Sequence, residues 1–121
     1  MVVPALEIDD HADSDGHVTL RLSGELDAYS VSLLEHAAER QFKAGVSALT
    51  LDLSHLMFID STGLAAVVLV SRLCERDGRA LEIVPGPRSV QRLFEVTGLD
   101  EVLPFNGAHA RIDQDRAQVE R

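Results

Sequence analysis

Hydrophobic and polar residues alternate in several short stretches of the chain, and each of these stretches predicts a β-strand. In the clearest stretch, Val18, Leu20 and Leu22 are separated by single polar residues. Residues 5–8 are expected to pair with this strand as a hairpin across a polar turn. Further strands are predicted at residues 48–53 and 80–84, and residues 102–103 form either a last strand or a turn.

Three other stretches have apolar residues at helical spacing, and each is followed by a glycine that can end a helix. The predicted helices cover about residues 30–44, from the turn at 60–62 to about 77, and about 89–97. The first half of the second helix is apolar on all sides. That pattern predicts burial on more than one side, against the sheet and against a neighbouring helix or a partner.

The alternation of strands and helices predicts one α/β domain over residues 1–121, with a mixed, mostly parallel sheet of four to five strands packed against helices. The core is expected at about 5–105, and the polar segment 106–121 is predicted to be a weak helix or a frayed tail. Functional loops of such sheets lie at the carboxyl ends of the strands. Two loops qualify here, residues 24–30 and 54–62.

Composition narrows the range of functions. The formal net charge is −9 and the chain has no Trp, which argues against nucleic acid and against anionic membranes as partners. Residues 1–27 alone carry a net charge of −6, either as a partner-facing surface or as a solubilising segment. Cys74 is the only cysteine, so it is expected to be a packed side chain in a reducing compartment. Because no signal peptide or membrane span is evident, a cytoplasmic location is predicted.

The most informative segment lies between the third strand and the second helix. Asp60, Ser61 and Thr62 all favour the start of a helix, although a single residue can supply the cap. The simpler interpretation is a purely structural one, in which the segment only caps the helix. The alternative is that Ser61 is reversibly phosphorylated at the helix N-terminus. The acidic side chains of Asp60 and Asp27 lie nearby, so the phosphate would change the charge of a partner-facing surface.

Enzymatic signatures are missing from the chain. Ser61 lacks the Gly-x-Ser-x-Gly pattern, no histidine pair has metal-ligand spacing, and no glycine-rich phosphate loop is found. The histidines other than His55 are expected at the surface. Asp52 and Ser54 are interpreted as caps at a strand end. The apolar run at 56–59 is expected in the core, although Met57 could instead be exposed and touch a partner. No enzyme activity, metal or cofactor is therefore predicted.

Three motifs resemble the STAS domain family, and within it the single-domain anti-sigma factor antagonists. They are Leu-Ser-Gly-Glu-Leu-Asp at 22–27, the run from Leu-Asp-Leu at 51–53 through Phe-Ile-Asp-Ser-Thr-Gly-Leu at 58–64, and Leu-Phe-Glu-Val-Thr-Gly-Leu at 93–99. The resemblance covers about residues 5–105 and implies a STAS-type fold. Position 62 is Thr where many members of the family have Ser.

The resemblance also implies a switch in bacterial transcription control. The unphosphorylated antagonist would bind an anti-sigma factor that is also a serine kinase, which releases the sigma factor. Phosphorylation of Ser61, or less favourably of Thr62, would end binding, and a PP2C-type phosphatase would restore it; ATP and Mg²⁺ belong to the kinase. The implied partner-binding residues are Glu25, Asp27, Asp60, Ser61, Thr62 and Gly63. The alternative is a constitutive STAS scaffold in a stressosome-like or lipid-transport complex.

Overall fold

A computed structural model of the protein describes residues 5–13 and 15–106. These residues form four strands, three helices and a short 3₁₀ turn. The elements are β1 (Leu6–Ala12), β2 (His17–Leu26), α1 (Val31–Lys43), β3 (Ala48–Ile59), α2 (Ser61–Arg76), β4 (Ala80–Val84), α3 (Arg88–Val96) and the 3₁₀ turn (Leu99–Glu101).

The sheet has the strand order β1-β2-β3-β4. β1 and β2 form the predicted antiparallel hairpin, whereas β2 with β3 and β3 with β4 are parallel pairs. The predicted mixed, mostly parallel α/β sheet is therefore confirmed. Residues 102–103 form no strand. Instead, Phe105 makes an isolated bridge with Ile83 at the free edge of β4.

Three strands extend further than the sequence pattern predicts. β1 continues past the expected residues 5–8 to Ala12, and β2 continues to Leu26 within the expected loop at 24–30. β3 continues to Ile59 through most of the expected loop at 54–62. β2 and β3 stay paired across two register shifts, each of which accommodates one extra residue on β3. Such bulges interrupt the alternation of inward and outward side chains but leave the strands paired.

The core lies between the sheet and the helices. Leu20, Leu51 and Ile83 are in register across three strands and are fully buried. α2 packs against α1, β3 and β4, so the predicted contact with the sheet and with a neighbouring helix is confirmed, although Ala65 and Leu69 in its apolar first half are exposed. Near the C-terminal edge, the rings of Phe94 and Phe105 meet edge to face with their centroids 5.0 Å apart.

A half-buried arginine also joins two of the elements. Arg79, just before β4, donates to the carbonyls of Val46 and Phe42, and its guanidinium lies over the Phe42 ring. This arginine ties the end of α1 to the start of β4. Cys74 is buried as predicted, and burial raises the pKa of its thiol.

Asn106 is the last residue that the structure describes, and its N–H donates to the carbonyl of Ile83 over 2.8 Å. The rest of the predicted tail, together with His109, lies outside the described residues. Over the part of the chain that is described, no helix combines the length and the apolar character needed to cross a bilayer.

Candidate functional site

The candidate site is the edge of the sheet where β2 and β3 end side by side. Leu26 is paired with Ile59, and the N–H of Asp60 donates to the carbonyl of Leu26 over 3.3 Å. α2 begins at the next residue, Ser61. The residues that follow β2 therefore lie beside the start of α2, which brings the 25–30 segment and the 60–63 segment to one edge.

Asp60 is the cap of α2. Its backbone is extended, and its side-chain carboxylate accepts a hydrogen bond from the N–H of Gly63 over 2.9 Å. Within the described residues, no hydrogen bond engages the hydroxyl of Ser61 or of Thr62, and both residues are exposed. One residue thus satisfies the capping requirement, and two hydroxyl groups are left facing solvent.

Gly63 allows α2 to start this close to the sheet. A Cβ atom at this position would lie 2.4 Å from the carbonyl oxygen of Leu26 and 2.9 Å from a side-chain carbon of Ile59. A larger residue could fit only if the helix or the end of β2 moved. The contact therefore fixes the position of Ser61 relative to the segment that follows β2.

Asp27 organises the turn that leads into α1. Its Oδ1 atom accepts hydrogen bonds from the N–H groups of Tyr29 and Ser30, over 3.0 and 3.1 Å. Ser30 is buried, and its hydroxyl donates to the carbonyl of Glu25 over 2.8 Å. Sequence reasoning selected Asp27 but missed Ser30. The Asp-x-x-Ser spacing was the available signal, since both residue types form such turns.

Large apolar side chains also lie exposed around this edge. Tyr29 is 95% exposed, Met57 is 78% exposed, and Phe58, which is paired with Glu25, is 47% exposed. Met57 and Phe58 were expected in the core, with exposure of Met57 as the alternative; the core prediction is wrong for both, and the exposure of Tyr29 was not predicted. Exposed aromatic residues beside polar groups are typical of surfaces that bind proteins.

The edge carries negative charge from Glu25, Asp27 and Asp60. None of these three carboxylates forms an ion pair with a residue in the described ranges. The N–H groups of Ser61 and Thr62 at the first turn of α2 likewise have no acceptor there. The site can therefore hold a phosphate locally through free N–H groups, while the surrounding carboxylates make the surface more negative.

Asp52 and Ser54 form a local cap, but the predicted position at a strand end is wrong. Asp52 is buried inside β3, where its Oδ1 accepts from the N–H and the hydroxyl of Ser54, over 2.9 and 2.6 Å. Burial alone would raise the pKa of Asp52. The bonds from Ser54 and the Arg21 guanidinium outweigh burial and hold that pKa below its usual range. The bulge in β3 explains why polar residues occur within a strand.

Two of the histidines that the structure describes bond to residues other than Ser61. The Nδ1 atom of His55 lies 3.0 Å from the Ser54 hydroxyl, which donates to Asp52. His17, which was expected at the surface, is half-buried and joins Asp13 to the buried Thr50 over 2.7 Å on each side. This histidine fastens the hairpin to β3. In the described ranges, no group of three potential ligands is arranged to hold a metal.

Comparisons with known proteins agree on one family. The STAS domain family model matches residues 10–113. The anti-sigma-B factor antagonist of Listeria monocytogenes is 29% identical over 106 residues, which cover 87% of this chain and 91% of the relative. The crystal structure of an anti-sigma factor antagonist from Mycobacterium paratuberculosis has a TM-score of 0.74 at 25% identity, covering 88% of this chain and 91% of that one.

A further solved structure supports the fold alone. It is the phosphorylated form of the Bacillus cell fate determinant SpoIIAA, with a TM-score of 0.65 at 21% identity. The match covers 89% of this chain and 98% of that chain. The architecture over the described residues is therefore the one that these proteins share.

Proposed function

The chain belongs to the STAS domain family, and we propose that it is a cytoplasmic anti-sigma factor antagonist that is switched by phosphorylation of Ser61. The unphosphorylated form binds an anti-sigma factor that is also a serine kinase, and the sigma factor is released. The kinase then phosphorylates Ser61 and binding ends. A PP2C-type phosphatase restores the binding form. The chain itself acts as a binding protein and not as an enzyme.

The observation that carries this proposal is that Asp60 caps α2 and leaves the Ser61 hydroxyl free. Asp60 alone caps α2, so the exposed Ser61 hydroxyl has no structural task among the described residues. An exposed hydroxyl on the first turn of a helix is accessible to a kinase. The helix N-terminus can then hold the product phosphate without a change of fold. Relatives named anti-sigma factor antagonists support the same assignment.

The charge of the surrounding edge explains how the switch ends binding. Phosphorylation adds about −1.5 to −2 charges next to Asp60 and near Asp27. A partner seated over the unphosphorylated Ser61 would then have to accommodate a larger group and desolvate its added charge at the contact. Burying an unpaired charge costs several kcal/mol, which is sufficient to dissociate a complex of ordinary affinity.

The proposal predicts opposite behaviour of two substitutions at Ser61. Ser61→Ala should hold the anti-sigma factor permanently because the acceptor hydroxyl is removed. Ser61→Asp should weaken binding by at least about tenfold because it adds charge at the contact. The measurement is a pull-down from native lysate with the wild-type chain and both variants as baits, followed by mass spectrometry. Thr62→Ala is the matched control, since it removes the neighbouring exposed hydroxyl.

The outcome separates the two functions that the family suggests. An anti-sigma factor kinase held by wild type and Ser61→Ala, but lost by Ser61→Asp, supports the switch. If all baits capture the same stressosome-like or transporter proteins, the chain is instead a constitutive scaffold. If phosphorylation of Thr62 and not of Ser61 released the partner, Thr62 would be the regulatory phosphorylation site.

A further inference from the structure

A straight line of residues along one face of α2 begins at Ser61. Ser61, Ala65, Val68 and Arg72 follow one another at spacings of four, three and four residues, which places them on one side of the helix. The line is about 16 Å long at 1.5 Å per residue, or about three helical turns. Together with Leu64, Leu69 and Leu99 these residues line a groove of about 440 Å³.

The groove is apolar although it faces solvent. Leu69 is 43% exposed and Ala65 is also exposed, whereas the outward face of a helix in an isolated domain is ordinarily polar. The net charge of the chain is −9, and yet no carboxylate lines this groove. An exposed apolar surface of this kind, continuous with the candidate phosphorylation site, indicates a contact surface for another protein.

Arg72 is the one charged residue that lines the groove. Over residues 5–13 and 15–106, no carboxylate lies within ion-pair distance of it. Arg40, Arg88 and Arg92 likewise have no ion-pair partner among the described residues, but none of these three lines the groove. An arginine presents a rigid fork of donors that matches a carboxylate. Its position at the far end of the groove therefore suits an acidic side chain of a partner.

We propose that the groove binds an amphipathic helix of the anti-sigma factor, with apolar side chains spaced three and four residues apart and an acidic residue that pairs with Arg72. This inference rests on the proposed function and names the element that the partner contributes. The length of the groove matches a helix of about three turns, and recognition by a helix in a groove uses such spacing. A second copy of this chain fits less well, because two chains of net charge −9 repel each other.

The geometry separates the role of Arg72 from that of Ser61. The two residues lie about 16 Å apart along the helix, which exceeds the Debye length of about 8 Å at physiological salt. A phosphate on Ser61 therefore acts on one end of the bound helix and leaves the pairing of Arg72 unaffected. The losses of affinity caused by Arg72→Ala and Ser61→Asp should multiply in the double variant.

The test uses the full chain and the anti-sigma factor captured by the wild-type protein, with Kd measured by isothermal titration calorimetry. We expect Arg72→Glu to weaken binding at least about 30-fold, and Arg72→Lys to remain within about fivefold of wild type. Ala65→Gln, which fills the groove without adding charge, should weaken binding about tenfold. Arg40→Glu on α1 outside the groove is the matched charge control and should stay within about threefold. Circular dichroism verifies that each variant is folded.

A photo-crosslinking residue at position 65 identifies the occupant. Crosslinks to a helical segment of the anti-sigma factor with an acidic residue support the proposal. Crosslinks to a second copy would overturn it and identify the groove as a self-association surface. Arg72→Glu and Ala65→Gln could both bind with wild-type affinity while Ser61→Asp still releases the partner. That result would overturn the proposal that the groove binds a helix and would leave the proposed function intact. Failure of the wild-type chain to capture any anti-sigma factor would overturn both.

Discussion

Asp27 and Asp60 combine a structural task with negative charge at the candidate site. Each carboxylate accepts hydrogen bonds from backbone N–H groups of the segment that follows it. Removing either side chain would therefore loosen a turn and also remove a charge from the surface. A substitution to alanine cannot distinguish these two effects, but a substitution to asparagine can, because the amide oxygen keeps the acceptor and loses the charge.

We predict that Asp27→Asn keeps the fold and weakens binding of the anti-sigma factor about tenfold. The turn retains its acceptor for Tyr29 and Ser30, while the charge facing the partner is lost. Asp27→Ala should show the same loss of affinity and in addition lower the free energy of unfolding by about 1 kcal/mol. Kd from titration calorimetry and urea denaturation of the same samples measure the two effects.

Ser30→Ala is the control for a turn that is loosened without any change of charge. Ser30 is buried and bonds to the Glu25 carbonyl, so this variant should lose stability more than affinity. If Asp27→Asn bound as tightly as wild type while Ser30→Ala bound weakly, Asp27 would act through the order of the turn and not through its charge.

The sequence predicted that the loops after β2 and β3 lie at the same edge of the sheet, but not which side chains are exposed there. The redundancy of Asp60, Ser61 and Thr62 is visible in the sequence because one cap suffices. The exposure of Tyr29 depends on the path of a turn held by Ser30, and no periodicity encodes that path. Pairing of β2 with β3 through two bulges likewise exposes Phe58 beside Glu25, which an alternating pattern cannot anticipate.

At the scale of elements, the site depends on how closely α2 approaches the end of β2. We predict that Gly63→Ala lowers the free energy of unfolding by about 1–3 kcal/mol, the usual cost of overpacking. The added Cβ would meet the backbone carbonyl of Leu26, which cannot rotate away as a side chain could. Alanine is the better helix former by about 1 kcal/mol, so a net loss would have to arise from the contact. Urea denaturation measures the change in the free energy of unfolding.

Thr62→Ala is the matched control for this prediction. It changes the adjacent residue of the same helical turn, which is exposed, so its effect should stay within about 0.5 kcal/mol. Gly63→Ala with wild-type stability would mean that the start of α2 can move away from β2 at little cost. Ser61 would then not be held in a fixed position relative to the 25–30 segment.

Element types were predictable from the sequence, whereas the ends of three strands were not. The strands and the three helices follow from periods of 2 and 3.6 residues, and the parallel pairing follows from the alternation of strands with helices. β3 was predicted to end at Leu53 because Ser54 and His55 interrupt the apolar alternation. The strand continues since each bulge adds one residue and shifts the following side chains to the other face.

At the scale of the whole molecule, every carboxylate with a shifted pKa among the described residues shifts in the same direction. Hydrogen bonds from His17, Lys43 and Arg76 lower the pKa values of Asp13, Glu39 and Asp77, respectively, and all three of these carboxylates lie at the surface. Asp52 differs from them because it is buried. A lowered pKa in the folded state means that the ionised form stabilises the fold. Stability should therefore fall in acid, and Asp52 should contribute most among these four.

Asp52→Asn should make this contribution measurable. At pH 6–7 the variant should be less stable than wild type by about 1–3 kcal/mol, since a buried hydrogen-bonded charge facing Arg21 is lost. The folded pKa of Asp52 lies below the unfolded value, so its stabilisation is fully present above about pH 4 and is lost as the pH falls through the folded pKa. The difference between wild type and variant in urea denaturation should therefore shrink below about pH 4.

Comparing the two proteins at each pH removes the titration of the other acids, which is common to both. Glu95→Gln controls for the change in net charge, because Glu95 is exposed on α3 and lacks an ion pair among the described residues. A stability difference that stayed constant from pH 7 to pH 3 would show that Asp52 stabilises the fold through shape and hydrogen bonding. A difference that vanishes in acid assigns the effect to its charge, held in the bulged strand that leads to Asp60 and Ser61.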